Sequence, residues 1–349
     1  MGDIIDWQLA TATGLRLLPR GPETTEDEAR RVVRQLRRAS ERAVVPVQDV
    51  TGLEAPFEAN RAVVVGRPEW LRSNVTQMAE AISPVAHLLQ ERRPPAAVAA
   101  VGSRATAMQM GAVLAWLSAK VLGQFEAFGT NGRLLLVAPN IVHAERQLDV
   151  DPTDFRLWVC LHEETHRVQF GVVPWLSDHF TSEVHTYLAA TDDDARSTLA
   201  RVLAGVRDRV PSSADDEGGS GQRPGLLDLV QSPEQRDILD RLTALMSLLE
   251  GHADVVMDEV GPIIVPSVAV IRARFNQRRH RASGLDGALR RLLGLDRKMR
   301  QYTEGAGFVR GVVDRIGMSG FNAVWTGPET LPALSEIADP AAWIARVHG

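Results

Sequence analysis

The sequence predicts a predominantly helical α+β protein in which a small sheet precedes one central helix. Three observations predict it. Most of the chain falls into long segments with helical apolar spacing, some opened by a capping residue and an acidic first turn. Strand signals are few: Ala62-Val63-Val64-Val65-Gly66 reads as a short strand or an irregular loop, and Arg133-Leu134-Leu135-Leu136-Val137-Ala138-Pro139-Asn140 as a buried strand ending at proline. The following helix carries Leu161-His162-Glu163-Glu164-Thr165-His166-Arg167, which contains a His-Glu-x-x-His string.

Composition sets the bounds. The chain has 349 residues, 44% hydrophobic and 24% charged, enough for a sizeable core in one large or two ordinary domains. A formal net charge of −5 gives no reason to expect nucleic acid or an anionic membrane as partner. Cys160 is the one cysteine, so an internal disulfide and a four-cysteine zinc site are both excluded. The N-terminal residues have neither a basic nor an apolar signal region, and a single thiol fits a reducing compartment. The expectation is a soluble cytoplasmic protein. Ala105 to Phe128 is long and apolar, but Gln109, Lys120, Gln124 and Glu126 interrupt it, so it reads as a buried core helix and not a membrane span.

Taken in order, Trp7 to Leu18 can be helical. Thr25 to Ala43 is a clearer helix: Thr25 caps it, and Glu26, Asp27 and Glu28 fill the first turn. Its arginines (Arg30, Arg31, Arg34, Arg37, Arg38) alternate with glutamates and read as a solvated face. Residues 44–56 are punctuated by Pro and Gly and read as a connector; Glu69 to Leu89 is helical, and Arg92 to Pro95 breaks the pattern. Asp154 or Thr153 starts the motif helix, which Gly171 and Pro174 stop near Phe170. Trp175 to Ala204 is helical in part. Pro211 to Gly225 cannot bury enough apolar area to order itself and reads as a mobile surface loop. A long helix follows, capped by Ser232 with Pro233 at its first position, running to about Glu259 before Gly261-Pro262. Val265 to Arg279, Leu285 to Leu293, Arg297 to Arg315 and Pro340 to Val347 read as further helices. The division expected is a helical region 1–127 and a metal-site region 128–349, packed as one unit.

On the motif helix, His162 and His166 lie one turn plus about 40° apart and leave the same face, where two neutral imidazoles can hold one Zn²⁺. Phe155, Trp158 and Gln169 share that face to within about 40°, while Arg156, Cys160, Glu164 and Arg167 lie opposite. Glu163, about 100° round from His162, can reach a water beside the ion without taking a coordination position.

A catalytic zinc takes three protein ligands. The third candidate is Glu250, which projects from a largely apolar stripe of the long helix, where an unpaired carboxylate is costly. Asp254 points the same way and can accept the outer N–H of a ligand histidine. His252, about 200° from Glu250, cannot share that face.

His162-Glu163-x-x-His166 with Glu250-x-x-Ala253-Asp254 resembles the gluzincin pattern of metallopeptidases. More closely, the chain resembles a family of actinobacterial zincin-like proteins presumed to be hydrolases and associated with biosynthesis of a deazaflavin coenzyme. Phe128 to Asn140, Leu161 to Phe170, Glu250 to Asp254, Lys298 to Tyr302 and Phe321 to Trp325 carry the resemblance over much of the sequence. The interval from His166 to Glu250 is longer than in compact gluzincins. The resemblance implies a zincin fold and a metal site.

The chemistry expected is zinc-dependent hydrolysis of a peptide or amide, with Glu163 as general base and a donor to the developing oxyanion from Tyr302, Tyr187, His280 or an arginine, Tyr302 being preferred. Tyr302 is placed there because Arg300-Gln301-Tyr302 reads as a polar break between helical stretches. Arg133 to Val137 is the strand expected to bind extended substrate at its edge. The alternative is a metal-stabilised scaffold without catalysis, which would need no base at Glu163.

Overall fold

The computed structural model describes residues 5–54, 62–90, 96–126, 132–190, 232–281 and 295–349. Helices α1 (Trp7–Leu17) and α2 (Glu26–Thr51) open the chain, followed by β1 (Val63–Val65), α3 (Arg67–Gln90) and α4 (Ala96–Leu117). Strands β2 (Gly123–Phe125) and β3 (Leu134–Val137) lead into α5 (Ala138–Leu148), the motif helix α6 (Pro152–Val172) and α7 (Pro174–Ala190). The long α8 (Pro233–Ile264), α9 (Val268–Arg281) and α10 (Leu295–Phe321) follow, then two short 3₁₀ turns, α11 (Leu334–Ala338) and α12 (Pro340–His348). The fold is thus mostly helical with one small sheet. No described helix is long and apolar enough to cross a membrane. The 211–225 loop and the Leu285–Leu293 helix lie outside the described residues.

The sheet has the order β1-β3-β2, with β1 parallel and β2 antiparallel to β3. Its strands come from both sides of residue 127. Successive side chains of β3 leave opposite faces, and both faces are covered: Leu136 joins the main core, while Leu135 and Val137 join a second core with Trp70, Leu71 and Leu114. This double burial explains the uninterrupted apolar run. It also corrects one expectation. Leu134–Val137 is the central strand, so an added strand cannot pair with it; β1 and β2 are the edges.

Four further expectations are corrected. The helix read as ending at Ala43 runs through Pro46 to Thr51, because its buried stripe (Val32, Leu36, Ala39, Ala43, Val47) continues across the proline. Gly52, at φ 65°, then ends it in the left-handed conformation. The apolar stretch read as one helix to Phe128 stops at Leu117 and turns into β2. Asn140 fixes that turn, donating to the carbonyls of Ser118 (2.7 Å) and Val121 (2.6 Å) while accepting from Arg67 Nε at 2.7 Å. Pro139, read as a strand stop, opens α5, since a proline is pre-set for a first helical turn. The long helix passes Pro262 and ends at Ile264.

Helix α6 packs on α2 on one side and on α8 on the other, and α8 makes its largest contact with α10. The charged side of α6 is therefore not solvated. Arg156 makes a two-pronged pair with Glu145 at 2.5 and 2.9 Å, and Arg167 with Glu164 at 2.5 and 2.8 Å, all four residues buried. Burial pushes both carboxyls up, and the arginine hydrogen bonds pull them back. The α2 arginines, by contrast, are exposed as expected.

Two glycines allow the close crossing of α8 and α10. A Cβ on Gly251 would fall on the backbone of Gly305, and one on Gly305 would fall on the Ser247 carbonyl. Gly→Ala inside a helix normally gains about 1 kcal/mol. Here the clash is with backbone, which cannot step aside, so overpacking of about 1–3 kcal/mol or more reverses the sign. Gly305→Ala is expected to lower the denaturant midpoint at unchanged m-value.

Candidate metal centre

Helices α6 and α8 bring the two halves of the sequence pattern together. Asp151 caps α6, accepting from the amides of Thr153 and Asp154, and Pro152 takes the first position. Ser232 and Gln235 form a reciprocal capping box at the start of α8. Near the α6–α8 contact, His162 Nε2 lies 3.6 Å from Glu250 Oε2, and His166 Nε2 lies 3.6 Å from Glu250 Oε1. The two imidazole Nε2 atoms are 3.3 Å apart. Among the described residues these three form the one cluster of potential metal ligands, with ligand atoms all within 4.8 Å of one another.

The donor set fits a tetrahedral cation. Legs of about 2.0–2.1 Å at tetrahedral angles place ligand atoms about 3.3–3.4 Å apart. The proton positions argue the same way, and they follow from one backbone carbonyl. Gln169 Nε2 donates to the Leu249 carbonyl at 3.0 Å, which fixes the orientation of the amide. Its Oε1 must then accept, so His166 Nδ1 carries the proton of their 2.9 Å bond. In the neutral ring this leaves His166 Nε2 as the lone pair, facing Glu250 and His162. His162 Nδ1 lies 3.3 Å from Met257 Sδ, a weak acceptor, leaving its Nε2 for the cluster. With both rings neutral, two lone pairs and a carboxylate converge on one point, an arrangement that a cation between them would stabilise.

The same amide reaches one residue further. Gln169 Nε2 donates its second proton to His252 Nδ1 at 2.9 Å. His252 is fully buried and packs against Phe321 and Trp325, with ring centroids 5.2 and 5.5 Å away. Burial, with His166 adding to it, depresses its pKa to about 3, so it stays neutral. His252 lies outside the His162-His166-Glu250 cluster, and its part in aligning Gln169 was missed. The outer partner of His166 is Gln169, and Asp254 lines the cavity together with His162 and Glu163. Gln169→Leu is expected to weaken zinc binding about 10–100-fold, as loss of such an outer partner does, measured by competition with a chromogenic chelator.

Glu163 is buried beside the cluster, and burial raises its pKa to about 7, with Glu250 adding and His166 opposing. A divalent ion at the cluster would pull it back down. Room for the carboxylate comes from β2: a Cβ on Gly123 would overlap Glu163 Cγ and Cδ. Phe125 of β2 stacks on Phe170 of α6 at 5.4 Å, holding the edge strand against the motif helix. Gly123 is the residue the sequence reading missed, because it was placed inside a helix. The cavity in front measures about 410 Å³, and its walls include Leu122, Trp158, His162, Glu163, Met257 and Phe275. Tyr302 lies in the helical part of α10 before its kink at Gly317 and not at a break; its side chain is outside the described residues.

Comparison with known proteins agrees with this geometry. The sequence profile of the zincin-like metallopeptidase family matches residues 5–344. A solved structure from Chloroflexus aurantiacus, described as a presumed hydrolase with a novel fold, is 29% identical; the alignment covers 99% of both proteins with a TM-score of 0.70. No curated protein sequence matches this one. With a family match spanning nearly the whole length and a His-His-Glu cluster on α6 and α8, the chain belongs to the zincin-like metallopeptidase family.

Proposed function

We propose that the protein is a zinc-dependent hydrolase of peptide-type amide bonds, with His162, His166 and Glu250 as ligands and Glu163 as general base. One observation carries the reading: two imidazole Nε2 atoms and a carboxylate converge where the walls of a cavity also hold a buried carboxyl group outside that cluster. When bound, zinc would polarise the scissile carbonyl and acidify water. A metal that only stabilised the fold would need no such carboxyl beside it.

The protein's own groups then have distinct tasks. Glu163 takes the proton of the attacking water and returns it to the leaving amine. Gln169 and His252 hold His166 in the tautomer that keeps Nε2 unprotonated. The edge of β2, next to Glu163, is suited to pair with an extended substrate backbone. Tyr302, on the helix that also carries Ala306 and Arg310 of the cavity wall, is the proposed oxyanion donor. The likeness to a deazaflavin-associated family bears on substrate alone and adds small-molecule amides to the compounds worth testing.

Zinc-loaded protein is expected to generate new termini in a mixed peptide pool, seen by mass spectrometry, with loss on chelation and recovery on zinc addition. Cleavage of small amides but no peptide would narrow the substrate class. Cleavage of neither, at full metal occupancy, would refute the reading.

A further inference from the structure

Two arginines reach the same cavity from different helices, Arg272 from α9 and Arg310 from α10. Both turn to one carboxylate, Asp258 of α8: Arg272 Nη2 lies 2.7 Å from Oδ1, and Arg310 Nη2 pairs with Oδ2. Arg272 Nη2 also donates to the backbone carbonyl of Asp254 at 3.1 Å. Its Nε–H is buried and has no hydrogen-bond partner among the described residues. Neither arginine makes another ion pair among the described residues, so two guanidinium groups share one carboxylate.

That arrangement has donors left over. A guanidinium presents five N–H groups in a fixed fork suited to planar oxyanions, and Asp258 occupies only part of two such forks. A buried N–H without an acceptor is costly, so the site is incomplete as it stands. Beside it the cavity wall is apolar, from Trp158, Met257 and Phe275. The matching ligand carries a carboxylate next to an apolar group.

We infer that Arg272 and Arg310 bind a carboxylate of the substrate, so that the site selects amides with a carboxylate close to the scissile bond. The inference rests on the hydrolase reading for its mechanism but not for its binding test. The free C-terminus of a peptide and an acidic side chain both offer the group, and Asp254, in the same wall, disfavours a second negative charge.

The test is calorimetric titration of zinc-loaded Glu163→Gln protein with three probes: N-benzoylglycyl-phenylalanine, its C-terminal amide, and C-terminally amidated N-benzoylglycyl-glutamate. The free acid is expected to bind about 30-fold or more tighter than its amide, the gain of a charge-assisted pair. Gain by the amidated glutamate alone would assign the site to an acidic side chain. Arg272→Gln and Arg310→Gln should each bring the acid-to-amide ratio toward one. Equal or undetectable binding of all three by the parent protein, which needs no arginine variant to interpret, would overturn the inference; so would a ratio that survives in both folded variants. Tight acid binding without cleavage of any amide by the wild-type zinc protein would leave this site standing and the hydrolase reading not. Cleavage without preference for a carboxylate would do the reverse.

Discussion

Glu163→Gln is expected to lower kcat by about 10²–10⁴-fold, the range a positioned general base contributes, while zinc stoichiometry stays at the wild-type value. The substitution keeps shape and volume and removes only the ability to take a proton. Glu163 is not a ligand, so His162, His166 and Glu250 keep their geometry. The side chain is buried, and a neutral amide is easier to bury than a carboxylate. The melting temperature should therefore hold or rise. That combination separates a base from a structural group: a variant that turned over at the wild-type rate with full metal would remove Glu163 from the mechanism.

Glu250→Gln should have the second largest effect, on the metal. In the proposed ligand set Glu250 would supply the one anionic group, and an amide oxygen cannot replace its charge. The fall in zinc affinity should exceed the about 10–100-fold expected for outer partners such as Gln169. The consequence is visible in stability. Zinc at a hundred times its dissociation constant adds about 2.7 kcal/mol to the wild-type protein. At the same free zinc, the variant should lose most of that increment. A melting scan with and without metal measures both. An increment equal to the wild type's would mean that Glu250 does not bind the ion.

What could be read in advance follows from which interactions are periodic. His162, His166 and Glu250 were legible because each lies on a helix, and a helix converts spacing into direction. The same wheel put Gln169 on the histidine face. Its task stayed hidden because that depends on the Leu249 carbonyl and on His252, residues about 80 positions away in the sequence. Gly123 was invisible for a related reason. It matters through the space it leaves for Glu163, and the strand that carries it was absorbed into an apolar helix pattern. The end of that helix is set by Asn140 holding two carbonyls from a distant segment, which local propensity does not encode. Pro46 and Pro139 misled in opposite directions. A continuous buried stripe overrode the first as a breaker, and the second opened a helix where a strand end was expected. The wheel put Arg156, Glu164 and Arg167 opposite the histidines, but their burial was hidden, because it depends on bidentate pairing and not on residue type.

The central claim is that one cation sits between α6 and α8, held by these three residues. Anomalous scattering at the zinc edge from crystals of the zinc-loaded protein tests it most directly. The account predicts a single strong peak at about 2.0–2.2 Å from His162 Nε2, His166 Nε2 and a Glu250 oxygen. A peak beside the histidines but out of reach of Glu250, or no peak there while zinc is bound elsewhere, would contradict it.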